Sequence, residues 1–350
     1  MTWDWSLEEL FALERFLGDM GICNGPLTGR RIGDGHSNLT YVVGDGRRKV
    51  VVRRPPPPPT PPGAHDVLRE AQLMAALRGT PVPVPDILAI AQPGEIVDVP
   101  LIVMSCVEGP VVTGCTPHPF RNDRDRHSIA CALVDVLAAL HDVDWKARGL
   151  EAFGKPDGFN ERHLRRIARL ISDEDGSPPP DFEKIFEWLT ANVPTESGAT
   201  IVHNDFRLGN VILAPDTPAR VAAVLDWELA TIGDPLWDVG YLLASYPVPG
   251  AALTPTEKMC AAVLEMGYPT REDLAERYAA ATGRDLANLP WYAAAVSWKL
   301  AVLYEYGRRR VSHPGGDAYY ADPAHVLSFL RAAHEAAGLT IQGSRTTWPA

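Results

Sequence analysis

The 350-residue sequence has few of the features that mark secreted, metal-binding or membrane proteins. Its five cysteines are odd in number, widely spaced and form no CxxC pair, which argues against a disulfide framework or a zinc site. No run approaches the roughly 18 apolar residues that a transmembrane helix needs. Residues 1–14 are interleaved with acidic side chains and lack the basic and apolar regions of a signal peptide. We therefore expect a cytoplasmic protein with no membrane partner.

Positive charge is also scarce, because 33 Lys and Arg residues face 44 Asp and Glu residues and the formal net charge is -11. This balance makes nucleic acid an improbable partner. The ten histidines form no HExxH pattern, and no G-x-S-x-G elbow occurs, so a zinc hydrolase and an α/β-hydrolase are both disfavoured. The hydrophobic share of 46% is ample for a buried core, and the length suggests two domains or lobes.

The first third of the chain is rich in β-forming residues. A capping-box pattern at Ser6 predicts an N-terminal helix, and residues 27–54 predict two or three antiparallel strands. Seven prolines within Pro55–Pro62 favour a stiff loop, although such a run is also typical of an SH3-type ligand. The pattern of Asp66–Leu77 predicts a helix, and residues 84–107 predict two more strands.

Helical periodicity dominates the rest of the chain, with a short β-rich segment at residues 201–229. This order of elements indicates an α+β fold rather than a regular βαβ alternation. We expect an N-terminal lobe over residues 1–104, a hinge at 105–109 and a larger, mainly helical lobe over 110–350.

Two motifs carry the chemistry. Residues 203–210 have the form H-x-D-x-x-x-x-N, which places Asp205 and Asn210 on one loop, and Asp226 follows an apolar, strand-like run. Phosphoryl transfer needs a carboxylate beside the acceptor hydroxyl, and it needs a carboxylate and an amide oxygen to hold magnesium on the phosphates. The pair of motifs therefore indicates a phosphotransferase.

These motifs, together with residues 233–238, resemble the aminoglycoside phosphotransferase/choline kinase family over residues 27–310. The resemblance is greatest to the branch that is fused to acyl-CoA dehydrogenases. It implies a protein-kinase-like, two-lobed fold that uses ATP and Mg2+ and takes a small-molecule hydroxyl as acceptor. It also implies that Asp205 is the base or orients the hydroxyl, and that Asn210 and Asp226 are the magnesium ligands. His203 would brace the loop, and Asp234 and Asp238 would anchor the segment that follows.

The sequence departs from the family pattern at two positions. Asn204 stands where glycine is usual, and asparagine tolerates left-handed backbone angles better than most residues. The strand at residues 50–54 has no lysine for ATP. We expect Arg53, rather than its neighbour Arg54, to hold the α- and β-phosphates, with Glu70 on the next helix as its partner.

A glycine-containing turn precedes that strand, and we expect Gly33, Gly35, Ser37 and Asn38 to approach the phosphates. An ordinary hairpin turn would show the same pattern. It is not a Rossmann fingerprint, because a strand and not a helix follows it.

The predicted hinge resembles the connector between kinase lobes. The backbone of Ser105 and Val107 would bind adenine, and Met104 would wall the pocket. Arg207 lies two residues after Asp205, where it could contact the γ-phosphate or form a surface ion pair. The run Arg308–Arg310 could receive an anion, although such runs are usually solvated.

The acceptor stays open between an aminoglycoside-like compound, a hydroxyacyl-CoA and another metabolite. Six aromatic residues lie in or near the predicted acceptor region, where they could bind an apolar ligand or pack in the core: Trp237, Tyr241, Trp291, Tyr292, Trp298 and Tyr304. The missing lysine and Asn204 leave a second hypothesis, a nucleotide-binding pseudokinase with a regulatory or scaffold role. A third, an acyl- or nucleotidyltransferase on an unrelated fold, is disfavoured by the motifs.

Overall fold

The structure is a computed structural model that describes residues 5–33, 38–56, 65–172, 178–313 and 316–339. The strands in these ranges are β1 (Thr28–Ile32), β2 (Leu39–Gly44), β3 (Lys49–Arg54), β4 (Ile87–Ala91), β5 (Leu101–Ser105), β6 (Thr200–Val202), β7 (Val211–Leu213), β8 (Val221–Val224) and β9 (Thr231–Gly233). The α-helices are α1 (Leu7–Asp19), α2 (Val67–Leu77), α3 (Asp123–His141), α4 (Phe159–Ala168), α5 (Pro180–Ala191), α6 (Leu236–Ala244), α7 (Pro255–Lys258), α8 (Arg271–Thr282), α9 (Leu289–Arg309) and α10 (Pro323–Ala336).

The N-terminal strands form one antiparallel sheet in the order β1-β2-β3-β5-β4. Because side chains alternate across a strand, β3 sends Val50, Val52 and Arg54 to one face and Val51 and Arg53 to the other. The first face packs against α1, and the second faces α2 and the rest of the molecule. The alternation therefore decides which of the two adjacent arginines can reach a site between the lobes.

The helices of this lobe begin at capping residues that the sequence identifies. Ser6 and Glu9 form the predicted capping box of α1. The Asp66 side chain accepts the Arg69 amide and starts α2 at Val67. The apolar side of α2 buries Leu73, Met74 and Leu77 in the main core.

The larger part of the fold is helical and is centred on α9. This 21-residue helix buries most of its side chains and packs against α6 and α10. Two short antiparallel pairs, β6 with β9 and β7 with β8, lie between the helices and carry the loops of both motifs. The predicted α+β class is confirmed, while the lobe boundaries at residues 104 and 109 stay a prediction.

Two details differ from the expectations or lie beyond the structure. The sequence pattern predicts a helix over Glu161–Ile171, whereas α4 runs from Phe159 to Ala168 and has Arg169 as its C-cap. The predicted loop residues Gly35 and Ser37, and most of the proline run, lie outside the described residues. No α-helix in the described part of the chain combines the length and hydropathy needed to cross a bilayer.

Candidate active site

A cleft of about 950 Å³ lies between the five-stranded sheet, the segment that follows β5 and the loops carried by the small β pairs. Eleven predicted site residues line it: Gly33, Asn38, Arg53, Glu70, Met104, Ser105, Val107, Asp205, Arg207, Asn210 and Asp226. These residues come from seven separate segments, so the fold brings together what the sequence spreads over almost 200 positions.

The loop after β6 is held in a left-handed turn. Asn204 has a φ of 66°, and its side chain donates to the Leu229 carbonyl over 3.0 Å. The Asp238 carboxylate accepts the backbone amides of His203 and Asn204, each over 2.6 Å. Burial alone would raise the pKa of Asp238, but its hydrogen bonds from His141 and from this loop outweigh burial and lower it. Asp238 therefore acts as a buried anionic anchor of the loop.

Asp205 follows that turn and is fixed from two sides. The Asn210 side-chain amide donates to the Asp205 carboxylate Oδ2 over 2.7 Å and to the Asp205 carbonyl over 2.8 Å. Arg207 places its Nε 3.4 Å from Asp205 Oδ1 and lies against Gly209, where a Cβ would collide with the guanidinium. Burial opposes the charge of Arg207, but Asp205 outweighs it and the pKa of Arg207 is raised. Arg207 is thus a largely buried ion-pair partner and not a surface one.

Asp226 emerges just beyond β8 and also has a left-handed backbone, with a φ of 65°. His203 Nε2 bonds to the carbonyl of Leu225 over 2.8 Å, and the His203 ring packs on Trp227 with ring centroids 4.7 Å apart. His203 therefore ties the loop that carries Asp205 to the one that carries Asp226.

Arg53 meets three carboxylates in the cleft. Its distances are 3.2 Å to Glu70, 2.8 Å to Asp226 and 3.7 Å to Glu228. Burial would lower the pKa of Arg53, but the three carboxylates outweigh it and raise the pKa. Its neighbour Arg54 lies 5.2 Å from the centroid of the Trp5 ring, on the face of the sheet that packs against α1.

Glu70 is buried, and desolvation raises its pKa to about 7 despite the opposing charge of Arg53. Asn38 donates to Glu70 over 2.6 Å. The side-chain amide of Asn38 therefore supports the ion pair, and Asn38 also lines the cleft, so its approach to phosphate stays a prediction.

The next residue along α2 fixes the position of that helix. Arg69 donates to the carbonyls of Ala230 and Phe153, both over 2.7 Å, and its guanidinium lies 3.7 Å from the Phe153 ring centroid. These contacts join α2 directly to the helical part of the fold, so Glu70 is held in the position that meets Arg53.

At the other end of the cleft lies the predicted adenine edge. Met104 is buried at the end of β5, and the amide of Ser105 donates to the Asp86 carbonyl over 2.9 Å. Because that amide is engaged, only the carbonyl of Ser105 is a candidate for adenine, beside the backbone of Val107.

The opposite wall is aromatic. Tyr304, Tyr319 and Tyr320 line it together with Met259, and the hydroxyls of Tyr304 and Tyr319 are 3.2 Å apart. Of the six aromatic residues predicted near the acceptor region, only Tyr304 lines the cleft; the others belong to the main core. In the basic run, Arg308 and Arg309 pair with the buried Glu305.

Sequence reasoning missed several residues of this site. Arg69 and Tyr319 belong to no motif, and the motif around Asp226 gives no role to Glu228. Only the three-dimensional contacts identify them.

Comparisons with known proteins agree with this geometry. Residues 28–294 match the sequence profile of the phosphotransferase enzyme family. Acyl-CoA dehydrogenase family member 10 of Mus musculus is 32% identical over 297 residues, which cover 84% of this chain but 28% of that protein. The chain thus spans about a third or less of the length of this and similar curated relatives.

Solved structures show the same fold. One described as a candidate aminoglycoside phosphotransferase of Ralstonia eutropha is 26% identical, with a TM-score of 0.76 over 94% of this chain and 98% of that one. A thermostable mutant of the aminoglycoside phosphotransferase APH(4)-Ia, solved with ADP and hygromycin B, is 14% identical with a TM-score of 0.55. The match covers 92% of this chain and 98% of that one and shows the fold alone. The expected resemblance is confirmed: the chain has the protein-kinase-like fold and belongs to the phosphotransferase enzyme family.

Proposed function

We propose that this chain transfers the γ-phosphoryl group of ATP to a hydroxyl of a small molecule, with Mg2+ as cofactor. The observation that carries the proposal is the meeting of two pairs in one cleft. Asp205 and Asn210 are joined at 2.7 Å, and Arg53 and Asp226 are joined at 2.8 Å. The reaction requires a carboxylate that meets the acceptor, two oxygen ligands for a metal ion and a cation that binds phosphate.

The nucleotide would lie along the sheet side of the cleft. Val51, Met104 and the backbone at Ser105 and Val107 provide an apolar slot with polar groups at its edge, which suits adenine. Arg53 presents a planar donor group that can bind two phosphate oxygens at once. The structure of the APH(4)-Ia mutant, which shares the fold, contains ADP and so supports the use of an adenine nucleotide.

The two proposed metal ligands fit a magnesium ion. Asn210 uses its side-chain NH2 on Asp205, so its Oδ1 is the atom left to coordinate a cation. The Asp226 carboxylate is one-third exposed and lines the cleft. Magnesium prefers such oxygens and takes the rest of its ligands from phosphate and water. When bound, it would neutralise charge on the phosphate oxygens.

Asp205 would orient the acceptor hydroxyl. Its Oδ1 is buried beside Arg207, so Oδ2, held by Asn210, is the oxygen that an acceptor can approach. Arg207 balances the charge of this carboxylate and lies close enough to the cleft to meet the transferred phosphoryl group. The aromatic wall at Tyr304 and Tyr319 suits an acceptor that has an apolar part.

The missing lysine and Asn204 are the grounds for the pseudokinase alternative, and the structure weakens both. Arg53 makes the ion pair with Glu70 that an ATP-binding cation needs, and Asn204 adopts the left-handed turn without glycine. No observation on the described residues favours a regulatory role over catalysis.

A coupled assay of ADP release tests the proposal. The protein, ATP and Mg2+ would be combined with aminoglycosides, amino alcohols, sugars and hydroxyacyl-CoA thioesters, and phosphorylated products identified by mass spectrometry. We expect ADP release that depends on one acceptor class and is lost in Asp205→Ala. Release that is identical in Asp205→Ala, or nucleotide binding that is absent by calorimetry, would contradict the proposal.

A further inference from the structure

A buried lysine lies directly behind the catalytic loop and has no part in the roles assigned so far. Lys299 lies on α9 and is 5% exposed. Its ammonium donates to the Asn204 carbonyl over 3.0 Å and sits 5.5 Å from the centroid of the Tyr241 ring. A full charge is rarely buried unless a specific group needs it, since desolvation is costly.

The contact falls at the turn that sets the direction of Asp205. The amide of Asn204 is held by Asp238, its side chain by the Leu229 carbonyl and its own carbonyl by Lys299. The left-handed backbone at this position is unfavourable for a residue other than glycine and persists only when its surroundings fix it. Lys299 is the cationic member of that set of contacts, and Asp238 is the anionic one.

The charges around Lys299 are mainly negative. Asp205 and Asp238 both favour its protonated form, while Tyr241 presents its ring and His163 faces it from α4. Burial raises the Tyr241 pKa well above its ordinary value, and it lowers the His163 pKa well below, so both are neutral at physiological pH. Lys299 is therefore a second cation near Asp205, besides Arg207, whose Nε lies 3.4 Å from Asp205 Oδ1.

We propose that Lys299 is a positioning residue for phosphoryl transfer, whose buried ammonium fixes the Asn204 turn and so aims the Asp205 carboxylate at the acceptor. The assignment rests on the proposed function of Asp205. Lys299 touches neither ATP nor the acceptor in this account, because it does not line the cleft. It acts through the backbone of the loop.

Burial also lowers the pKa of Lys299 to about 8, against the pull of Asp205 and Asp238. The ammonium should then lose its proton as the pH rises through about 8. Turnover in the wild type should decline above that pH as the turn loses its charged donor.

Two variants separate positioning from simple packing. Lys299→Met keeps a similar apolar volume and removes the charge, whereas Lys299→Arg keeps the charge at every accessible pH. Ser297→Ala, a buried change on the same helix, controls for disturbance of α9. Thermal melting would first establish that each variant folds.

The first measurement needs no substrate. Hydrogen–deuterium exchange of peptides covering residues 203–210 should be about 10- to 100-fold faster in Lys299→Met, the range expected for loss of a charge-assisted hydrogen bond. Exchange should be unchanged there in Ser297→Ala. Equal protection of these peptides in Lys299→Met and wild type would overturn the proposal.

The second measurement uses ADP release. We expect kcat to fall about 10- to 100-fold in Lys299→Met while the KM for ATP stays within about twofold, and the decline above pH 8 to be absent in Lys299→Arg. A fall in kcat that also appears in Ser297→Ala, or a pH profile unchanged in Lys299→Arg, would count against Lys299. Absence of ADP release from the wild type would refute the proposed function alone and leave the exchange measurement to decide on Lys299.

Discussion

Removal of Arg53 gives a sharp test of the nucleotide side of the site, because the chain carries its own control one residue away. Arg53→Met deletes the cation that lies between Glu70, Asp226 and Glu228, at 3.2, 2.8 and 3.7 Å. Arg54→Met deletes a buried guanidinium of the same strand on the opposite face, over Trp5. Each change removes a guanidinium from the same strand, but only Arg53→Met removes it from the face that lines the cleft.

The expected change in the Kd for ATP follows from the loss of the proposed contact between Arg53 and phosphate. A bidentate, charge-assisted contact to phosphate contributes about 1.5–3 kcal/mol, which corresponds to roughly 10- to 100-fold in Kd. We expect the Kd for ATP with Mg2+ to rise by that factor in Arg53→Met and by less than about twofold in Arg54→Met.

The loss of stability in Arg53→Met should be smaller than that for breaking an ordinary buried ion pair. Removing one partner of such a pair costs about 3–5 kcal/mol when the other stays charged. Here Glu70 has a pKa of about 7 and can take up a proton, while Asp226 is partly exposed. We therefore expect the free energy of unfolding to fall by about 2–3 kcal/mol at pH 8 and by less at pH 6.

Isothermal titration calorimetry with ATP and Mg2+, together with urea unfolding at pH 6 and pH 8, measures both quantities. Wild-type nucleotide affinity in Arg53→Met would refute the assignment of Arg53 to the phosphates. A larger loss of affinity in Arg54→Met than in Arg53→Met would refute the choice between the two arginines.

Two further changes test how the ion pair is built. The pKa of Glu70 is raised from 4.5 to about 7, so the folded protein binds more protons than the unfolded chain between these two pH values. The free energy of unfolding should therefore fall as the pH rises through this window, by up to about 3 kcal/mol from Glu70. Urea unfolding across that window should show a shallower decline in Glu70→Gln than in the wild type, and equal slopes would contradict the burial argument. Arg69→Met should lower the free energy of unfolding by about 2–3 kcal/mol and weaken ATP binding several-fold, because α2 loses both hydrogen bonds to the helical lobe. Arg78→Met, an exposed change just after the same helix, should change neither the free energy of unfolding nor the affinity for ATP. An equal loss of affinity in both variants would exclude a specific role for Arg69.

The sequence was most informative where local patterns decide the structure. The capping box at Ser6 starts α1 as predicted, and the helix predicted over Asp66–Leu77 is present as α2, with Asp66 as its N-cap. Arg53 and Arg54, which are adjacent on β3, lie on opposite faces of the sheet. The tolerance of asparagine for left-handed angles at residue 204 also holds, with a φ of 66°. Each of these features depends on a few adjacent residues.

Features that depend on contacts between distant segments were not predictable. Arg69 reaches carbonyls 84 and 161 residues away, and Lys299 reaches one 95 residues away. No periodicity or spacing encodes such pairs. The contact of Asn38 with Glu70, which lies 32 residues further along the chain, is a pair of the same kind.

The most direct test of the central claim is a comparison of Asp205→Asn with Asp216→Asn. Asp205 is the proposed carboxylate for the acceptor, whereas Asp216 is an exposed residue paired with Arg220. Acceptor-dependent ADP release and calorimetric ATP affinity would be measured for both variants and the wild type. We predict that kcat falls about 100- to 10,000-fold in Asp205→Asn while its ATP affinity stays within about twofold, and that Asp216→Asn matches the wild type. Turnover in Asp205→Asn within a few-fold of the wild type would contradict the account.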